Sequence, residues 1–213
     1  QLVDHRAGAL TEGGAHGGPM ALLAQPFTQG ENNIDANGNV PDPQVFDIYA
    51  AWTHSDAPHR AAIARGEAIF NSRPILITGV GGLNDALNQP VITGTCSTCH
   101  NAANVGDHSS VGFLNIGTAD AAHRTPDLPL YTVQCADGAV VQASDLGRAM
   151  ISGHCADIGK FKGPVLRALA ARAPYFHNGM AATLMDGVNF YNDRFHLDLS
   201  PQEKSDLAAF LTS

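Results

Sequence analysis

The sequence predicts a mainly α domain made of short helices and long loops. Three observations point there. Charged residues make up only 15% of the chain while glycine and proline number 22 and 12, a balance that favours turns over long regular elements. Several separate stretches carry helix start signals, each followed by only two or three turns of apolar spacing. Strand-like signals are confined to one short region around Ala136, Asp137 and Gly138. An apolar share of 44% over 213 residues is ordinary for a globular protein and enough to bury a core.

In chain order, residues 1–44 are turn-rich and lack periodicity, with GGAHGGP at 13–19 and ENNIDANGNVPDP at 31–43. The DANGN stretch resembles the start of a calcium loop but departs from it, with Val40 where glycine is required and Phe46 where glutamate is required. Asp56–Phe70 reads as a helix: Ser55 or Asp56 can cap it, Pro58 sits in its first turn, and Ile63, Ile69 and Phe70 give an apolar face. Residues 73–95 read as a loop with an apolar run from Ile75 to Val80. The stretches YTVQC and AVVQA flank a turn and suggest a hairpin. Asp145–Ser152, Gly163–Ala171 and Thr183–Tyr191 read as short helices, the second opened by Pro164 with Val165, Leu166 and Leu169 on one face, the third capped by Thr183. Ser200–Leu211 closes the chain as a helix with Ser200 as N-cap, Pro201 at N1 and Glu203 completing a capping box; Leu207, Phe210 and Leu211 face inward.

The net charge of −8 and the lack of any basic run argue against nucleic acid as a partner. No stretch approaches the ~18 apolar residues of a membrane span. The opening QLVDHRAGAL lacks a leader pattern, and a start at Gln1 is expected of a processed or trimmed form.

Chemistry is concentrated at Cys96-Ser-Thr-Cys99-His100. Two thiols three positions apart lie on one side of a helical turn, where each can add across one vinyl group of the same porphyrin. The adjacent histidine then reaches iron from one face. A zinc site would need a second closely spaced pair, and the remaining cysteines, Cys135 and Cys155, are far apart in sequence. A thioredoxin-like site would need a preceding strand, and ITGT before Cys96 is short and turn-like. The motif therefore implies one covalent haem c, and short helices packed around it would make a cytochrome c-like haem domain over 56–213 behind a loop-rich extension, 1–55. Haem attachment suggests export to an oxidising compartment, where Cys135 and Cys155 could form a disulfide worth ~3 kcal/mol.

Further segments carry a family resemblance. RGEAIFN (65–71), the run Lys162, Pro164, Leu166 and Arg167, the stretch Pro174-Tyr175-Phe176-His177-Asn178-Gly179, the helix start Ala182-Thr183-Leu184, and LSPQEKSDLAAFL (199–211) resemble the C-terminal haem domain of bacterial di-haem cytochrome c peroxidases and MauG-like proteins. The resemblance covers roughly residues 60–213. The family carries two haem domains, whereas this chain holds a single CxxCH, so the partner domain is absent from it, cut from it or supplied by another chain.

The resemblance also frames the sixth iron ligand. In the peroxidases a methionine stands fourteen positions after the histidine of the Tyr-Phe-His stretch; that position here is Tyr191, and MauG-like proteins carry a distal tyrosine there. A hard, anionic phenolate would stabilise ferric iron, and methionine would do the opposite. Met180 is the rival, in a loop beside Gly179, with Met150 and Met185 as weaker candidates. The resemblance places His177 near the haem edge, within reach of a propionate. Arg167 and Lys162 could pair with propionates as well. Trp52 is either a packing residue or an electron relay. His154, beside Cys155, reads as a surface or packing residue, and His16, His54, His59, His108, His123 and His196 show no ligand spacing. The family also binds calcium between its domains near the Pro174 position, where Arg172 replaces the usual threonine; the sequence itself does not argue for that ion.

The leading expectation is a periplasmic electron-transfer domain serving a redox partner protein or a second haem domain. The alternatives are a peroxide-dependent haem enzyme, with His177 as a possible base, and a haem-domain fragment of a longer two-haem enzyme.

Overall fold

The computed structural model describes residues 49–100, 112–166 and 168–213. Its frame is a pair of packed helices, α1 (Pro58–Ser72) and α5 (Pro201–Thr212). Helix α1 buries Ile63, Ala64, Gly66, Glu67 and Phe70, a stripe along one face, and α5 answers with Asp206, Leu207 and Phe210. The crossing is close because Gly66 lacks a side chain: a Cβ there would lie 2.0 Å from the Asp206 carbonyl oxygen. Arg65 holds the crossing with two hydrogen bonds to the buried Asp206 carboxylate, of 2.7 and 2.9 Å. The capping box at α5 forms as its sequence requires: the Ser200 amide donates to Glu203 Oε2 and the Glu203 amide to Ser200 Oγ.

Between these helices the chain is mixed α/β, not mainly α. Among the described residues there are three two-stranded antiparallel ladders: β1 (Ile75–Thr78) with β2 (Val91–Gly94), β3 (Phe113–Leu114) with β6 (Phe161–Lys162), and β4 (Tyr131–Gln134) with β5 (Val140–Ala143). The last is the hairpin the turn at Ala136–Gly138 implies. The first replaces an expected loop. In β1, Ile75 and Ile77 are buried while Leu76 and Thr78 are exposed, and the strand pairs from Ile75 with Gly94 to Thr78 with Val91. A four-residue strand is too short to stand out by alternation, and its partner lies beyond a loop anchored by the buried Asn84 amide, which donates to the Ile77 and Gln89 carbonyls.

Two expected helices shrink. Of 145–152 only α3 (Ala149–Ser152) is helical, because Gly147 adopts φ +56 under the Lys160 carbonyl. Among the described residues of 163–171 only a 3₁₀ turn at Leu169–Ala171 remains, preceded by Ala168 in the left-handed region at φ 55. The helix capped by Thr183, α4 (Leu184–Phe195), runs one turn beyond its expected end.

The main core gathers Ile63, Phe70, Ile75, Ile77, Val80, Val188, Leu197, Leu207 and Phe210, and it also takes in Tyr49 and Trp52 from the stretch read as an extension. Trp52 packs 4.9 Å from Tyr49 with the Arg60 guanidinium 5.1 Å over its ring, a packing environment. A second, smaller core holds Cys135, Ala143 and Ile158. Cys135 and Cys155 stand at disulfide distance there, Cα–Cα 5.9 Å. No described helix is long and apolar enough to cross a membrane. The expectations for residues 1–48, for His108 and for Arg167 fall outside the described residues.

Candidate haem site

Strand β2 delivers the chain into α2 (Cys96–Cys99), the single turn that carries both thiols. Thr95 is its N-cap, with the Thr95 amide donating to Thr98 Oγ1 at 2.9 Å. Gly94 must precede it, since a Cβ there would meet Thr98 Oγ1 at 2.4 Å. His100 ends the turn with its amide on the Cys96 carbonyl at 3.0 Å. Cys96 and Cys99 are both free thiols.

The His100 ring lies between Phe70 of α1, at 6.5 Å, and Tyr191 of α4, at 6.1 Å. Its Nε2 faces Tyr191 Oη at 3.4 Å. Its Nδ1 is buried and has no partner among the described residues. Tyr191 in turn packs against Phe176 at 6.0 Å, Phe190 at 5.6 Å and Phe195 at 6.2 Å, the last nearly parallel and one helical turn along. These phenylalanines, with Phe70, are the site residues the sequence reading missed. The signal was present for two of them, because Phe190 and Phe195 share a helix with Tyr191 at neighbouring and i+4 positions.

Burial sets the protonation of the site. It pushes the His100 imidazole down to about 4 and the Cys96 thiol up to about 12, raises Cys99 in the same sense, and raises Tyr191, which the two cysteines raise further. At neutral pH the imidazole is therefore unprotonated with its lone pair free, while both thiols keep their protons. Neutral thiols are poor nucleophiles for disulfide exchange. Among the described residues no group of three or more His, Cys, Asp or Glu is gathered as a metal site.

This donor set suits a haem c. Two adjacent thiols stand beside a neutral imidazole, and an oxygen donor faces that imidazole. His100 Nε2 and Tyr191 Oη, 3.4 Å apart, are donors of the kinds that haem iron accepts.

The other candidates lie elsewhere. Met180 sits in the 175–181 turn, its sulfur 3.8 Å from the Asn178 amide nitrogen, and Asn178 also donates to the Thr118 carbonyl. Met150 is 73% exposed and Met185 lies half-buried on α4. His177 stacks on Phe161 at 3.7 Å and 19° and faces Asp145 at 3.6 Å. Its imidazole is pushed down by burial and back up by Asp145. Lys162 lies exposed in β6, and His154 is exposed beside Cys155. Arg172 donates to the Val165 carbonyl at 2.8 Å.

Comparison with known proteins adds a consistent set of relatives. The chain is 35% identical over 130 residues to the cytochrome-c peroxidase IdrP2 of Denitromonas iodatirespirans, covering 55% of this chain and 35% of that one. It is 32% identical over 251 aligned positions to the IdrP2 of Pseudomonas sp. (strain SCT), covering 97% of this chain and 64% of that one. It is 29% identical over 119 residues to the cytochrome c551 peroxidase of Pseudomonas aeruginosa, covering 55% of this chain and 30% of that one. The chain thus spans between about a third and two thirds of the length of these relatives. No family model matches it. No solved structure matches it.

Proposed function

The chain belongs to the bacterial cytochrome c peroxidase family, and on that premise we propose that it is a c-type cytochrome domain that holds one haem covalently and passes single electrons. It would correspond to the C-terminal haem domain of the two-haem peroxidases. The observation that carries this reading is the opposition of His100 Nε2 and Tyr191 Oη at 3.4 Å inside an aromatic surround.

In this reading Cys96 and Cys99 would hold the haem through thioether links, and His100 Nε2 and Tyr191 Oη would be its iron ligands, Tyr191 as the phenolate. Once bound, the haem supplies a one-electron ferric/ferrous couple. Phe176, Phe190 and Phe195 exclude water from the distal side. Met180 is the weaker distal candidate because its sulfur is turned to Asn178. Calcium is not part of the proposal.

A peroxide-dependent activity is the second reading, favoured by the names of the relatives. It requires Tyr191 to leave the iron. A second haem domain, or a separate redox protein, is the proposed electron partner. Covalent haem and the Cys135–Cys155 pair, read as a disulfide, fit a periplasmic location.

The test is the absorption spectrum of the haem-loaded protein, ferric and ferrous, with and without hydrogen peroxide. A ferric spectrum that peroxide leaves unchanged supports the electron carrier. A fast change with peroxide overturns it in favour of the second reading.

A further inference from the structure

We propose that the segment spanning residues 119–161 is a latch on the distal face: its Asp145 and Phe161 grip His177, and through His177 they seat Phe176 against Tyr191. The inference rests on the reading of Tyr191 as the distal ligand and adds a control on that ligand's release. It makes His177 a positioning residue, in place of the propionate contact that the family resemblance implies.

The segment is a unit with its own small core. Cys135, Ala143 and Ile158 form it, backed by Val133, Val141, Leu146, Ala149 and Cys155. A core with three buried residues is weak on its own, so the unit depends on the Cys135–Cys155 pair and on its attachments. Lys160 reaches Asp85 at 3.5 Å and Asn115 donates to the Ile158 carbonyl at 3.2 Å, while inside the unit the Ser144 amide donates to the Ala119 carbonyl at 2.8 Å. Both ends of its later half converge on one imidazole: the Asp145 carboxylate at 3.6 Å and the Phe161 ring, stacked at 3.7 Å.

His177 belongs to a turn closed by the Tyr175 amide on the Ala181 carbonyl at 2.7 Å. The residue before it, Phe176, has φ 64, a conformation that a bulky side chain keeps only when its surroundings impose it. Those surroundings are visible on both sides of the peptide. Phe176 packs on Phe190 at 4.9 Å and Tyr191 at 6.0 Å, while its neighbour His177 is held by the latch. Two adjacent side chains on opposite supports cannot shift independently. Loosening the grip on His177 releases Phe176 and opens the approach to Tyr191.

The experiment uses the full haem-loaded chain with two readouts. Hydrogen exchange is measured at the amides of Tyr175, Gly179 and Ala181, and the rate of cyanide binding to ferric iron is followed by absorbance. His177→Ala is expected to speed both by about tenfold, leaving exchange in α1 and α5 unchanged. Asp145→Asn is expected to act in the same direction by a smaller factor. Unchanged exchange in the turn of a folded His177→Ala protein overturns the latch. If His177→Ala does not fold, Phe161→Leu and Asp145→Asn decide by the same readouts. Tyr191→Phe separates the two ideas: cyanide binding no faster than in the parent refutes Tyr191 as ligand, and the latch is then judged on exchange alone.

Discussion

Gly66→Ala puts helix propensity and packing in direct opposition. Propensity alone favours alanine in a helix interior by about 1 kcal/mol. The structure places the new Cβ 2.0 Å from the Asp206 carbonyl oxygen and 2.7 Å from Phe210 Cβ. Ordinary contact begins at about 3.5 Å, so α1 and α5 must separate by more than about 1 Å. That movement pulls on the Arg65–Asp206 pair and on the Phe70–Phe210 contact at 5.5 Å, through which α1 supports His100. Overpacking of this kind costs about 1–3 kcal/mol beyond any propensity gain. A net loss of about 2 kcal/mol corresponds to a fall of roughly 4–8 °C in the melting temperature of a chain this size. Gly187 is the matched control, a glycine inside α4 whose added Cβ would meet nothing within 4 Å. Gly187→Ala is expected to raise the melting temperature by about 2–4 °C. Thermal unfolding of the haem-loaded proteins, followed by far-ultraviolet circular dichroism, measures both. If Gly66→Ala melts no lower than the parent, the reasoning about the crossing is refuted.

Tyr191→Phe keeps the ring contacts and removes one oxygen whose partner, His100, lies at the long end of hydrogen bonding, so stability should fall by less than about 1 kcal/mol while the reduction potential rises measurably in a redox titration. The double variant Cys135→Ser/Cys155→Ser opens a 20-residue separation and should cost roughly 3 kcal/mol in denaturant unfolding, while thiol counting on the unfolded parent should find neither cysteine free. Asp186, which accepts from Thr183 at the start of α4, has its pKa lowered from 3.8 by those bonds. Its support for the helix is therefore present above pH 3.8 and lost as pH falls through the lower folded value. Thr183→Ala should remove it, so the variant should lose less stability than the parent between pH 5 and pH 2 in urea titrations.

What the sequence made legible follows from local physics. The caps at Thr183 and Ser200 announced α4 and α5, because a side chain that satisfies an amide three residues on needs no tertiary partner. The hairpin at Ala136–Gly138 was equally local. The β1–β2 ladder was not, since its strands are four residues each and Val91 is exposed. The lost helix at 163–171 shows the reverse case, where apolar spacing suggested a helix and Ala168 instead entered the left-handed region. At the site, Cys96, Cys99 and His100 announce themselves by spacing alone. Tyr191 was nominated through the family resemblance, and only the fold brings it to His100 from a position 91 residues away. Phe176 and the grip on His177 depend on contacts between distant segments that no local pattern encodes.

The setting of Tyr191 also bears on which chemistry the site favours. A buried phenolate is costly unless a cation stands beside it. The arginine of its own helix, Arg194, does not serve, because its guanidinium reaches the carbonyls of Ile116, Thr78 and Gly79 and lies over the Phe195 ring. His100 is held neutral by burial, and burial also raises the Tyr191 pKa. A haem iron held by His100 would be the cation able to stabilise a Tyr191 phenolate, and the proposed ligation would then favour the oxidised metal. The low dielectric of the phenylalanine surround would magnify that preference. Such a setting would fit the proposed one-electron site of low potential better than an open site for peroxide.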